Sequence, residues 1–256
     1  MKYTAGQIRN YPIPNTATAI NFNLTFAMSH QFPLNFEFNN EMTFDSFQTG
    51  DNQQIIATLQ QTELDKSDAC VFLWGGSGVG KSHLLQATCQ FMAAKNKPVS
   101  FIPLKLHTQL SPALFEGLEQ LPLVCIDDVE SIGGNRLWEE GLFHLFNRMR
   151  EKGNTLLVSG NSAPAQISLQ LADLKSRLGW GLVIQIAALS DTQKIIALQK
   201  RARIRGMDLN DDVGRFLLSR YARDMVSLMN TLDLLDTASL SEHRRLTVQF
   251  VRQVLG

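Results

Sequence analysis

An eight-residue glycine-rich stretch, Gly75-Gly76-Ser77-Gly78-Val79-Gly80-Lys81-Ser82, constrains this chain more than any other feature. It fits the phosphate-binding pattern G-x-x-x-x-G-K-[ST] at every fixed position. An apolar run at 70–74 predicts a buried strand before it, and residues 81–95 carry apolar side chains at helical spacing. A strand, a glycine loop and a helix N-terminus form a concave, partly positive anion site. The stretch therefore predicts a nucleotide site, with Lys81 at the terminal phosphates and Ser82 on Mg²⁺.

Polar side chains follow two further apolar runs. Residues 123–126 are apolar and lead directly into Asp127 and Asp128. We expect Asp127 to hold Mg²⁺ through a water molecule, and Asp128 to orient or deprotonate an attacking water. Asn161 ends the run at 155–160 and is either a sensor of the terminal phosphate or a turn-forming residue.

Composition excludes several classes of protein. Lys plus Arg and Asp plus Glu both number 24, so bulk charge gives no support for wrapping nucleic acid, although a local basic patch stays open. The three cysteines are widely spaced in apolar segments, which favours buried thiols over a metal or redox site. No apolar run approaches the ~20 residues that span a bilayer, and no secretory leader is evident. We therefore expect a cytoplasmic protein with no membrane partner.

The order of the patterns predicts an α/β protein. Strand-like and helix-like segments alternate up to about residue 188, which is typical of a parallel sheet with helices on both faces. From Ser190 the patterns are helical only, and four segments predict a small bundle. We expect a loosely ordered arm at 1–42, an α/β domain at 43–188 and a helical lid domain at 189–256. Met28 is an alternative start, in which case residues 1–27 are not native.

Two short patterns near the amino end leave alternatives open. Phe44 and Phe47 either line an adenine pocket or belong to the core. The segment 31–36, Gln-Phe-Pro-Leu-Asn-Phe, has the spacing of a short peptide that fills a groove on a partner. On spacing alone, folding back onto its own domain is the better interpretation.

A phosphate loop, a strand ending in Asp and a helical appendage together resemble an AAA+ module. Finer stretches resemble the replication initiator family DnaA: they are Thr43–Phe47 with Gly50 and Asn52, 123–128, 139–147 and 174–182. The resemblance runs from about Thr43 to the carboxyl end. Two DNA-binding features of the initiators are not expected in this sequence. The link 103–123 is too short for their extra helical insertion, and the sequence stops where their DNA-binding domain would begin. An AAA+ core of this kind is most similar to the Hda family of DnaA-homologous regulators.

The resemblance implies roles for particular residues. Gln31, Leu34 and Phe36 match the motif by which that family docks on the DNA polymerase sliding clamp (β subunit). Arg177 falls on the arginine-finger position, and Arg223 on the second sensor position, from which it would reach the phosphates. A surface or ion-paired arginine is the alternative for each.

The function implied is regulation of replication initiation. The chain would bind ADP or ATP with Mg²⁺, tether itself to the clamp and present Arg177 to ATP on DnaA, so that hydrolysis prevents re-initiation. Its own ATPase would be weak, and it would meet DNA only through the clamp. The alternative is a self-assembling AAA+ ATPase that remodels or loads a partner. A direct DNA-binding module is disfavoured by the zero net charge.

Overall fold

A computed structural model of the chain describes residues 39–61, 70–221, 223–242 and 244–256. In this part the sheet is five-stranded, every pairing is parallel, and the strand order is β2-β3-β4-β1-β5. The strands are β1 (Cys70–Trp74), β2 (Val99–Pro103), β3 (Leu123–Asp127), β4 (Thr155–Gly160) and β5 (Leu182–Gln185). The apolar runs seen in the sequence are thus the strands, and β3 and most of β1 and β4 are fully buried. Continuous apolar strands are typical of parallel sheets covered on both faces.

Helices cover both faces of the sheet, as predicted. They are α1 (Gln53–Gln60), α2 (Lys81–Ala94), α3 (Arg136–Lys152) and α4 (Ala172–Leu178). One buried cluster joins α1 and α2 to the sheet, and a second joins α3 and α4 to its other face. The domain therefore has three layers, with the sheet between two layers of helices. In open α/β sheets of this kind, ligands bind at the carboxyl ends of the strands.

The link between β2 and β3 contains only short 3₁₀ turns, at Leu104–Gln109, Pro112–Phe115 and Leu118–Gln120. It is fastened to α3, because Arg148 donates to the Phe115 carbonyl at 2.9 Å and pairs with Glu119 at 3.0 Å. This compact link agrees with the absence of a long insertion between the two strands.

A separate apolar cluster holds the carboxyl-terminal bundle together. Its helices are α5 (Asp191–Ile204), α6 (Asp211–Arg220), α7 (Met225–Glu242) and α8 (Val248–Leu255). A capping box begins α5, since Ser190 and Gln193 bond each other's backbone N–H groups. Asp224 caps α7 by accepting from the Ser227 N–H at 2.8 Å. Within the described residues, no helix is both long enough and apolar enough to span a membrane.

Candidate functional site

The glycine loop joins β1 to α2 and has the conformation that its sequence predicts. Gly78 and Gly80 have φ of 75° and 100°, in the left-handed region that favours glycine. A Cβ on Gly80 would lie 2.6 Å from the Phe47 ring, so the loop also packs too closely there for a larger residue. The Lys81 side chain is buried, and its Nζ donates to the carbonyls of Gly75 and Gly76 at 2.9 and 3.0 Å. The loop therefore positions a cation directly beneath a helix N-terminus.

The acids at the end of β3 lie beside this loop. Asp127 is buried and accepts hydrogen bonds from the hydroxyls of Ser159 and Ser82. Burial, and then the neighbouring Asp128 carboxylate, raise the pKa of Asp127. Two adjacent buried carboxylates beside a hydroxyl are hard oxygen donors, which is the chemistry that Mg²⁺ requires. Ser82 and Asp127 therefore fit the metal role predicted for them.

Asp128 differs from Asp127 in its partners. Its backbone is left-handed (φ 56°), and its N–H donates to Ser159 Oγ at 2.9 Å. Its carboxylate pairs with Lys105 Nζ at 2.8 Å. Lys105 comes from the link after β2, and nothing in the sequence pattern connected it with the acids. The carboxylate predicted to act on water thus has an ammonium group against it.

A cavity of about 590 Å³ opens above the loop and is closed on its far side by the bundle. Lys81, Ser82, Asp128 and Asn161 line it, together with residues 77–80. Gly75, Gly76 and Asp127 are not among the lining residues. Phe47 lines the cavity and is also buried in the core, whereas Phe44 packs edge-on against Phe91. The role of Phe47 in an adenine pocket stays a prediction.

Glu130 is a cavity residue that the sequence interpretation missed. Its Oε2 accepts from the Asn161 N–H at 3.2 Å, and burial raises its pKa. It stands two residues beyond Asp128, and this third acid after the strand was the sequence feature that could have found it.

The bundle contributes its own side of the cavity through α5 and α7. Arg201, Arg205, Met225 and Val226 are among the lining residues. Arg223, which was predicted to bind nucleotide, is exposed just before α7 and is not part of the lining. Its role therefore stays a prediction.

Glu41 ties the segment before α1 to the bundle. Its carboxylate pairs with Arg201 at 2.9 Å and with Arg205 at 3.3 Å, and Arg205 also pairs with Asp233. Lys200 adds a bond from its Nζ to the Phe47 carbonyl at 3.0 Å. Lys200, Arg201 and Arg205 therefore join the bundle to the cavity wall.

His83 packs against the segment before α1 that forms this part of the cavity wall. Its Nε2 donates to the Thr43 carbonyl at 2.8 Å, and its ring packs edge-on against Phe47 with 5.2 Å between ring centroids. Burial is the main cause that lowers the pKa of His83 to about 4, with the Arg201 and Lys200 charges adding to it. At neutral pH the ring is therefore uncharged.

Arg177 lies elsewhere, in the last turn of α4, and it does not line the cavity. We call residues 177–181, which connect α4 to β5, the Arg177 edge. Parallel pairing of β5 with β1 begins at Val71 and Leu182 and ends at Trp74 and Gln185. The Arg177 edge is therefore at the amino ends of these strands, while the glycine loop leaves the carboxyl end of β1, about 16 Å along the strand at ~3.3 Å per residue.

A buried carboxylate fixes the chain just before α4. Glu139, only 1% exposed, accepts from the N–H groups of Gly134, Gln170 and Leu171 at 2.6–2.9 Å. Helix α4 starts directly afterwards at Ala172. Glu139 was missed as a site residue, although a charged residue on the apolar face of α3 was visible in the sequence.

The remaining predicted residues, Gln31, Leu34 and Phe36, lie outside the described residues. The clamp-docking motif therefore stays a prediction from the sequence.

Two family models match this chain. The model of the bacterial DnaA ATPase domain matches residues 38–185, and the model of the Hda lid domain matches residues 191–255.

Solved structures have the same fold. Domain III of the replication initiation protein DnaA from Thermotoga maritima is 21% identical, with a TM-score of 0.75 over 86% of this chain and 97% of that chain. DnaA from Aquifex aeolicus bound to AMPPCP is 17% identical, with a TM-score of 0.63 over 80% and 68%. The Thermotoga maritima RuvB branch migration motor is 14% identical, with a TM-score of 0.63 over 86% and 72%.

The two family matches account for both parts of the described structure, the three-layer sheet with its phosphate loop and the helical bundle above it. The chain therefore belongs to the bacterial DnaA ATPase-domain family, as an AAA+ protein with an Hda-like lid.

Proposed function

We propose that this chain is a nucleotide-bound regulator of DnaA that stimulates hydrolysis of the ATP held by DnaA. The position of Arg177 carries the proposal, because this side chain lies at the amino ends of the strands and outside its own cavity. An arginine so placed can serve a nucleotide in a neighbouring subunit. The pairing of a DnaA ATPase domain with an Hda lid suggests DnaA as that neighbour.

Within its own cavity the chain would hold ADP or ATP with Mg²⁺. Lys81 and the loop N–H groups would bind the phosphates, Ser82 and Asp127 the metal, and Asn161 would meet the terminal phosphate. Arg223 would add a contact from the bundle. The AMPPCP held by the related Aquifex DnaA supports nucleotide binding here. The bound metal would supply charge neutralisation between the phosphates.

Slow turnover of the chain's own nucleotide is part of the proposal. Asp128 would have to release Lys105 before it could accept a proton from an attacking water. The nucleotide would then act mainly as a structural ligand that closes the bundle onto the sheet.

On the neighbour, water attacks the γ-phosphorus and the bond to the bridging oxygen breaks, leaving ADP and phosphate. The Arg177 guanidinium would stabilise the negative charge on the transferring group, an effect worth ~10³–10⁵-fold in known NTPases. The chain would reach DnaA from the sliding clamp, which Gln31, Leu34 and Phe36 would bind. The chain would contact DNA only through the clamp. Hydrolysis of the ATP on DnaA would then prevent re-initiation of replication.

The test measures ADP formed on DnaA loaded with labelled ATP, with clamp loaded on DNA. We expect Arg177→Ala to abolish stimulation while nucleotide and clamp binding persist. Lys175→Ala removes another cation from α4 and should keep stimulation. Full activity of Arg177→Ala would refute the finger assignment.

The arm is tested by replacing Gln31, Leu34 and Phe36 with Ala and measuring affinity for the clamp. Asn35→Ala, at a variable position of the same motif, is the matched control. Loss of affinity in the triple variant alone would support docking, and retained affinity would contradict it.

The complete set of Lys81, Asp127 and Asp128 favours one second candidate, a self-assembling AAA+ ATPase that remodels or loads a partner. ATP-dependent homo-oligomers with rapid turnover in the absence of DnaA would support that candidate over the first.

A further inference from the structure

The side chain of Arg177 has an aromatic partner. Its Cζ lies 3.9 Å from the centroid of the Trp180 ring. Within the described residues no carboxylate lies within ion-pair distance of Arg177, so the ring is the group that holds the guanidinium. Arg150 of α3 lies over the same ring at a longer 5.2 Å.

Contacts of the surrounding backbone restrict the main chain at Trp180. Its N–H donates to the Arg177 carbonyl at 3.1 Å. The next residue, Gly181, passes β1 so closely that a Cβ there would overlap the Cys70 carbonyl oxygen. The backbone therefore cannot shift easily at this point, and the attachment point of the ring is fixed relative to α4.

The ring itself is 55% exposed, whereas Trp138 is 4% exposed in the core. Large aromatic side chains are usually well buried, and exposed ones are typical of surfaces that bind a partner. Packing within the chain does not explain this exposure, but a role at a subunit contact does.

We propose that Trp180 is a positioning residue for Arg177, and this inference rests on the proposed function. The ring holds the guanidinium in one direction before the neighbour arrives. When DnaA covers the edge, the cation–π contact loses water and strengthens. The ordering of a long arginine side chain is then already complete when its nucleotide is reached.

The test uses the full chain, clamp on DNA and ATP-loaded DnaA. The maximal stimulated rate and the concentration giving half of it are measured for Trp180→Ala, Trp180→Phe and Trp180→Leu. We expect the Ala and Leu variants to lose roughly 3- to 30-fold in maximal rate, the range of a cation–π contact. Phe keeps an aromatic face and should restore most of it. Val183→Ala, an exposed apolar residue of β5, is the control and should match the parent.

Trp180 emission gives a second readout, isolated as the difference between the parent and Trp180→Phe. Arg177→Ala should change this emission in the free protein, and Lys175→Ala should not. Addition of ATP-loaded DnaA should shift it in the parent.

The outcomes separate the two proposals. An unchanged maximal rate in Trp180→Ala, or a rise in the half-saturating concentration alone, overturns positioning and leaves Trp180 at most a docking contact. A Phe variant as slow as the Ala variant overturns it too. If Arg177→Ala itself keeps full stimulation, the proposed function fails instead.

Discussion

In the nucleotide cavity, Lys81 is buried and donates to two loop carbonyls, whereas at the opposite ends of the same strands Arg177 rests on a half-exposed ring. The cavity takes residues from the loop, the strand ends and the bundle, and the acids at the end of β3, Asp127 and Asp128, are buried. The Arg177 edge comes from one short helix and the turn after it. Under the proposed function this contrast has a simple reason: the cavity encloses the chain's own ligand, whereas the edge serves a ligand held by another molecule.

Loss of the Glu139 carboxylate should destabilise the chain before α4, which supports the Arg177 edge, and should leave the cavity unchanged. Glu139→Ala would leave three part-buried N–H groups without their carboxylate acceptor, each costing roughly 1–3 kcal/mol, so we expect unfolding free energy to fall by about 4 kcal/mol. Urea unfolding measures this. Glu140→Ala, at the next position of α3, removes only a surface ion pair with the exposed Arg136 and should change little. Equal stability of the two variants would contradict the role of Glu139.

The free energy of unfolding should depend on pH through His83, which packs beside the cavity. The folded pKa of His83 is lowered to about 4 from the ordinary 6.5, so its stabilising contribution is complete above pH 6.5. As pH falls the unfolded chain binds the proton first, and about 3 kcal/mol is lost between pH 6.5 and 4. Unfolding measured across this range should show the loss, and His83→Gln should flatten it. A His83→Gln profile as steep as the parent's would assign the loss to other groups.

Removing Lys81 tests whether the two regions are independent. We expect Lys81→Ala to weaken Mg·ADP binding roughly 10- to 100-fold, because a charge-assisted contact to phosphate is lost. Calorimetric titration measures it, with Lys95→Ala at the other end of α2 as control. Trp180 emission should stay unchanged, and a changed emission would show that the cavity and the edge are coupled.

The smallest effect concerns the closure of the cavity. Glu41→Gln keeps the shape but removes the charge between Arg201 and Arg205, both partly buried. We expect a loss of about 1 kcal/mol in stability and a few-fold weaker Mg·ADP binding. Asp51→Asn, an exposed change nearby, should leave both unaffected. Unaltered binding in Glu41→Gln would mean that the ion pairs do not hold the bundle in place.

The sequence predicted the parts whose rules are local. Glycine spacing, an apolar strand and a helical pattern around residues 70–95 are enough to predict the phosphate loop, and the apolar runs predicted the sheet. Contacts between distant segments were not predicted, because their partners have no fixed spacing. Glu41 and Arg201 are 160 residues apart, and Lys105 meets Asp128 from another strand's loop. Glu139 was missed for the same reason, since two of its three partners, Gln170 and Leu171, follow β4.

Arg177 and the nucleotide loop lie at opposite ends of the paired strands β1 and β5. In the proposed mechanism Arg177 at one end of these strands would meet the nucleotide loop of a neighbour, so each contact between such subunits would be head-to-tail, with one donor face and one acceptor face. Contacts of that kind are heterologous and do not close by two-fold symmetry. A complex of one such chain with one DnaA would therefore be a polar pair, with one arginine and one nucleotide engaged and the others left at its two ends.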